Sequence, residues 1–135
     1  MLVVDTSVLL AAPDNADPDH DSCSRAIENA GPLVTTALVI AETAYLIRRQ
    51  LGAKAEAAFF RALAADEIQI ELMTPTEARR IADLIETYSD LGLSGADASL
   101  IVLAERLNAT VIATLDRRHF GVVRPNHVAA FELIP

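Results

Sequence analysis

Val111-Ile112-Ala113-Thr114-Leu115-Asp116 is a short apolar run that ends on an acid, and Leu2-Val3-Val4-Asp5 repeats that pattern near the other end of the chain. Runs this short, apolar throughout and bounded by polar residues, suit strands buried on both faces of a parallel sheet. Working outward, strands are predicted at Met1–Val4, at Leu33–Thr35 after the turn signal Gly31-Pro32, at Ile68–Met73, at Thr110–Thr114 and at Ala130–Ile134. Helical segments lie between them: Asp19–Asn29, Ala37–Leu51, and, after a break at Gly52, Lys54–Ala65 with Phe59, Phe60 and Leu63 on one face. Thr74-Pro75-Thr76-Glu77 starts another helix. Thr74 caps it, Pro75 fits the first helical position and Glu77 reaches back to the cap. That helix runs to Asp90 and stops at Leu91-Gly92, and Ser94-Gly95-Ala96-Asp97 opens one that continues to Leu107. Short apolar strands joined through helices imply crossover connections, hence a layered α/β domain with a mainly parallel sheet of about five strands and helices on both faces.

A chain of 135 residues fits one domain, residues 1–135, with a core of ordinary size. At 52% hydrophobic residues and a mean hydropathy of +0.30 it is too apolar to be disordered, and rich enough to reserve apolar surface for a partner. Its net charge of −8 excludes a general affinity for phosphate backbones, so any nucleic-acid contact must be local. A single cysteine, Cys23, leaves no intramolecular disulfide or multi-cysteine zinc site. No uncharged stretch approaches the roughly 18 residues of a membrane span, and Asp5 follows the N-terminus too closely for a signal peptide; a cytoplasmic protein is expected.

Four of the nineteen acids stand out by position. Asp5 and Asp116 sit just past the carboxyl ends of apolar strands, the edge where open parallel sheets form ligand crevices. Glu42 interrupts the apolar helix Ala37–Leu51, and Asp97 opens the apolar helix that follows Ser94. No Lys or Arg lies close in sequence to Asp5, Glu42 or Asp97, while Arg117 and Arg118 follow directly on Asp116. Singly, Asp97 reads equally as a helix-terminus acid and Asp116 as a turn former, whereas a paired structural glutamate is the weaker reading of Glu42. Together on one sheet edge they would repel, and the natural counter-charge is a divalent cation with oxygen ligands, Mg²⁺ or Mn²⁺ rather than zinc.

The ordered set Val3-Val4-Asp5-Thr6-Ser7, Glu42, Ala96-Asp97-Ala98 and Thr114-Leu115-Asp116-Arg117 followed by Phe120 resembles the PIN-domain signature, and within that family the VapC-type toxins of bacterial toxin–antitoxin pairs. The resemblance spans Met1 to Pro135 with no departure at the acids. It implies a PIN-like three-layer α/β/α domain, Mg²⁺-dependent endoribonuclease activity, a cognate antitoxin and a homodimer. It also assigns Asp5, Glu42, Asp97 and Asp116 to the acidic metal site, and Thr6 or Ser7 together with Thr114 to the hydroxyls beside it. Phosphodiester cleavage by an activated water suits such a site and needs no protein nucleophile. Asp5 and Asp97 are the expected direct ligands; Asp116 completes the site or holds a metal-bound water, and Glu42 is an outer ligand or orients the attacking water.

The four acids carry half of the net charge, and bound divalent ions would reverse the sign inside the cleft. Arg117, Arg118 and Arg124, and Arg48 and Arg49 two turns beyond Glu42, are candidates to grip RNA phosphates, or solubilising surface. His20, His119 and His127 read as surface histidines in polar loops, and Cys23 as an inert small residue. Asp17, Asp19, Asp21 and Glu28 imitate EF-hand spacing, but Ser22 replaces the required glycine, and acids at a helix start explain the cluster. Gly92-Leu93-Ser94-Gly95 lacks the Lys of a phosphate-binding loop. Two other classes compete: a metal-dependent phosphatase or receiver-like domain, which would want a second acid beside or two residues after Asp5 where Thr6-Ser7 stand, and a non-catalytic binding module on the same fold, which has no use for four uncompensated acids. The helix pair Ala37–Leu51 and Lys54–Ala65, with Tyr45, Leu46, Phe59 and Phe60, offers a groove for an amphipathic antitoxin helix, and an antitoxin arginine forked onto the carboxylates would silence the site.

Overall fold

In the computed structural model, which describes residues 1–65 and 67–135, β1 (Leu2–Val4) leads into α1 (Thr6–Ala11) and α2 (His20–Glu28), and β2 (Leu33–Thr36) into α3 (Ala37–Leu51) and α4 (Ala53–Ala64). β3 (Ile68–Glu71) is followed by α5 (Pro75–Thr87), a 3₁₀ turn at Ser89–Leu91 and α6 (Gly95–Leu107), and β4 (Val111–Ala113) by α7 (Arg117–Val122) and β5 (Glu132–Ile134). Among the described residues the five strands form one sheet in the order β3-β2-β1-β4-β5, every pairing parallel. Val3 lies at its centre, in register with Val34 on one side and Ile112 on the other. All three are fully buried, as a strand covered by helices on both faces requires.

This order places the site. The chain steps outward from β1 to β2 to β3, then returns across the sheet to start β4 on the far side of β1. The direction reverses between β1 and β4, and at such a switch point the connections leaving the carboxyl ends diverge and open a crevice. Asp5 follows β1 there, and Thr114-Leu115-Asp116 follow β4.

Local chemistry seats the helices around that edge. Thr36 ends β2 and caps α3 by accepting from the Val39 N–H. The predicted capping of α5 forms, Thr74 with Glu77, and Ser94 with Asp97 forms a second capping box at α6. Helix α6 is buried nearly all round from Ala96 to Ala104, as its continuous apolar sequence demands. Its Ser99 hydroxyl lies 2.7 Å from that of Thr36, tying the start of α6 to the start of α3. At the other end of the same helix, a two-pronged Arg80–Glu105 pair (3.2 and 2.8 Å) fastens α6 to α5.

The architecture is the expected one, a parallel five-stranded sheet in an α/β/α sandwich. Two short helices, α1 and α7, have no counterpart in the sequence pattern. Each is only six residues long, too short to show a period, and each is held by tertiary burial, of Val8 and Leu9 in α1 and of Phe120 in α7. The third strand stops at Glu71, leaving Leu72 and Met73 exposed. No helix among the described residues is long and apolar enough to cross a membrane. Because Leu100 is wholly enclosed at the middle of α6, Leu100→Ala should lower unfolding free energy by about 2–5 kcal/mol in urea denaturation.

Candidate functional site

Asp5 continues β1 by one residue, donating its N–H to the Ala113 carbonyl of β4 (2.9 Å). The residue is 5% exposed. A carboxylate so placed needs donors, and two hydroxyls converge on one of its oxygens: Ser7 Oγ and Thr114 Oγ1 each donate to Oδ2 at 2.8 Å. Those hydroxyls are aimed in turn, Ser7 Oγ by the Leu115 N–H (2.9 Å) and Thr114 Oγ1 by the Asp116 N–H (2.9 Å). The turn after β4 thereby fixes the Asp5 carboxylate from across the strand gap. Thr6, buried on α1, faces α3, where the Thr43 hydroxyl lies 3.3 Å from its own.

The other acids arrive from three helices. Glu42 stands in the second turn of α3, half-buried beside the Thr6 hydroxyl. Asp97 sits at the third position of α6, its Oδ2 accepting from the Ser94 N–H at 3.2 Å. Asp116 caps α7, its Oδ1 accepting from the His119 N–H at 3.0 Å. Burial raises the Asp5 carboxyl above the usual range, with the Ser7 and Thr114 hydroxyls working against it and the Asp97 charge with it. Burial likewise raises Glu42, opposed by Thr6 and reinforced by Asp97 and Asp5. The structure therefore brings Asp5, Glu42 and Asp97 within electrostatic reach of one another; one oxygen of Asp97, one of Asp116 and a ring nitrogen of His119 lie within 4.8 Å of one another.

His119 corrects the sequence reading of a surface histidine in a polar loop. It lies on α7, half-buried, with Nδ1 2.6 Å from Asp116 Oδ2 and 3.3 Å from Asp97 Oδ2. The available signal was its spacing of three from Asp116, which becomes proximity only if a helix starts at Arg117. His20 opens α2, and His127 places Nε2 2.6 Å from the Ala109 carbonyl; neither joins the acids. Among the described residues no Lys or Arg pairs with any of the four acids. Arg117 and Arg118 are exposed at the start of α7; Arg117 donates to the Pro135 carbonyl, and Arg124 leans on the carbonyls of Gly121 and Val123. Arg48 and Arg49 ride at the far end of α3, about 9 Å along the helix from Glu42, with Arg48 4.0 Å from Glu56. A set of carboxylate oxygens with no Lys or Arg among them fits a hard divalent ion.

The raised carboxyl of Asp5 gives a signed pH dependence. A group easier to protonate in the folded state supports folding while it holds its proton, and that support is lost as pH climbs from the ordinary Asp range through the folded value. In metal-free buffer, the melting temperature of Asp5→Asn minus that of the parent should therefore grow as pH rises from about 4 toward neutrality. Thermal unfolding in chelator across that range checks it; a difference that is flat or shrinks contradicts the burial of this charge.

The profile of the PIN domain family matches residues 2–124. Over 135 residues the chain is 38% identical to Ribonuclease VapC26 of Mycobacterium tuberculosis, covering 99% of this chain and all of that one. It superposes on the crystal structure of Mycobacterium tuberculosis VapC20, a Sarcin-Ricin loop cleaving toxin, with a TM-score of 0.79 at 20% identity over 96% of this chain and 99% of that one. FitAcB from Neisseria gonorrhoeae follows with a TM-score of 0.69 at 16% identity, over 100% and 97% of the two chains. The matched profile, the full-length relative and the shared fold agree: the chain belongs to the PIN domain family.

Proposed function

We propose that the chain, as one domain over residues 1–135, is a metal-dependent endoribonuclease of the VapC type, the toxin of a toxin–antitoxin pair working in the cytoplasm. The full-length likeness to a ribonuclease supports the activity, and the observation that carries the site is the gathering of Asp5, Glu42, Asp97 and Asp116 with no Lys or Arg between them. Mg²⁺, with Mn²⁺ as substitute, is the cofactor this oxygen set suits; when bound it supplies an activated water and neutralises charge on the phosphoryl and leaving oxygens. Asp5 and Asp97 would hold it directly. Ser7 and Thr114 keep the Asp5 carboxylate from rotating by fixing one oxygen. Glu42, whose raised pKa favours accepting a proton, orients the attacking water from α3. Asp116 completes the site from α7. Arg117, Arg118 and Arg124 extend from α7 and its end as contacts for RNA phosphates, whereas Arg48 and Arg49 would serve only an RNA that also follows α3.

The antitoxin has a seat in an apolar groove of about 1070 Å³ running between α1, α2, α3 and α4, with Leu9, Ile27, Ile47, Phe59 and Leu63 in its wall. Ser7 also lines it, so a segment lying in the groove ends beside the Asp5 carboxylate. Asp14, Asp17, Glu28 and Glu67 rim it, which suits an amphipathic helix carrying basic residues, one of them forked onto the site acids. Tyr45 and Phe60, expected in this groove, point away from it and are exposed; with Leu72 and Met73 they leave apolar surface for the homodimer.

Asp97→Asn keeps the size of the side chain and an oxygen to accept from Ser94, so α6 should stay capped while the charge a metal needs is lost. RNA cleavage should fall by at least about 100-fold with Mg²⁺ present. The metal-free melting temperature should hold or rise as repulsion is relieved. Glu42→Gln should retain part of the activity. Cleavage of a single-stranded RNA together with thermal unfolding decides between this and a structural Asp97, which predicts lower stability with cleavage intact. Ala58→Arg, on an exposed position of the groove wall in α4, should leave cleavage unchanged and abolish neutralisation on co-expression with the cognate antitoxin.

A further inference from the structure

Resting on the reading of the acids as a metal site, we infer that His119 is a nitrogen ligand in that site and gives it a preference for Mn²⁺ over Mg²⁺. Four observations carry the inference. The Nε2 atom of His119 lies 2.9 Å from the Leu91 carbonyl. A carbonyl only accepts, so Nε2 carries a proton and Nδ1 is the ring atom left to face the acids. That Nδ1 is shielded from solvent and makes no hydrogen bond. It nevertheless sits 2.6 Å from Asp116 Oδ2 and 3.3 Å from Asp97 Oδ2. Nδ1 and two carboxylate oxygens this close together require a cation among them, a metal ion or a proton.

The spacing suits an ion. Adjacent donors around an octahedral ion with bonds of about 2.0–2.1 Å stand about 2.9 Å apart, and the two contacts to Nδ1 straddle that value. The Leu91 carbonyl plays the part that outer partners of metal-bound histidines commonly play, fixing tautomer and ring plane through the distal nitrogen. Phe120, fully buried next in sequence, and the Asp116 cap hold α7, and with it the backbone of His119, in place. A nitrogen donor shifts the selectivity of a site. Carboxylate and water oxygens alone accept Mg²⁺ and Mn²⁺ alike, whereas imidazole favours the transition ion.

Two measurements test this on the full chain. Pulsed electron paramagnetic resonance of the protein loaded with Mn²⁺ should show coupling to a ¹⁴N nucleus, and His119→Asn, which offers an oxygen in place of Nδ1, should lose it. Calorimetric titration with Mn²⁺ and with Mg²⁺ should show the ratio of the two affinities falling about tenfold or more in that variant, chiefly through weaker Mn²⁺ binding. Mn²⁺ bound without nitrogen coupling, or an affinity ratio equal in parent and variant, overturns the role of His119 and leaves the acidic metal site standing, with a proton rather than a metal between Nδ1 and Asp116. Failure of the parent to bind either ion overturns both. The resonance measurement on the parent is decisive even if the variant fails to fold.

Discussion

A carboxylate buried at the end of the central strand organises this molecule. Asp5 has left β1 but still pairs with β4, and its charge is balanced locally by two hydroxyls rather than by a cation of the protein. Hydroxyls orient a carboxylate without neutralising it, so the negative potential persists and is deepened by Glu42 and Asp97. The arrangement costs folding stability in the metal-free chain, and a core that runs from Val3 through α6 has to offset that cost.

The sheet order explains why four acids from distant parts of the chain meet at all. Reversal of direction between β1 and β4 opens the crevice, and each bordering element contributes through a terminus: the strand end at Asp5, the caps of α6 and α7, and the second turn of α3. Asp97 and Asp116 have double duty, each using one oxygen for a helix terminus. The positions of these two acids are thus tied to backbone geometry, because each spends an oxygen on a helix N-terminus. The same tie brings in His119, whose backbone N–H completes the Asp116 cap while its ring turns to face it.

The neighbouring groove adds a second constraint. Its wall includes Ser7, one of the hydroxyls on Asp5, so the proposed partner surface and the proposed catalytic surface share a residue. On the proposed reading, a segment that fills the groove would reach Ser7 and with it the neighbourhood of Asp5.

Elements governed by local rules were legible in the sequence. Apolar runs gave β1, β2 and β4, Thr74 and Ser94 gave two capped helices, and isolation among apolar neighbours singled out Asp5, Glu42, Asp97 and Asp116. These signals work because strand pleat, helix period and capping act over four residues or fewer. The short helices α1 and α7 escaped because burial of Val8, Leu9 and Phe120, not propensity, holds them. With α7 went His119: its ring is set by an acid three residues back, another twenty-two residues back and a carbonyl twenty-eight residues back. The outward face of Phe60 and the inward face of Phe59 likewise depended on how α4 lies against α3. The amino-acid sequence by itself determined the strands, the capped helices and the identity of the four acids, since those follow from contacts between near neighbours; which side chains share a crevice was decided only when the sheet reversed direction and brought residues a hundred positions apart within hydrogen-bonding distance.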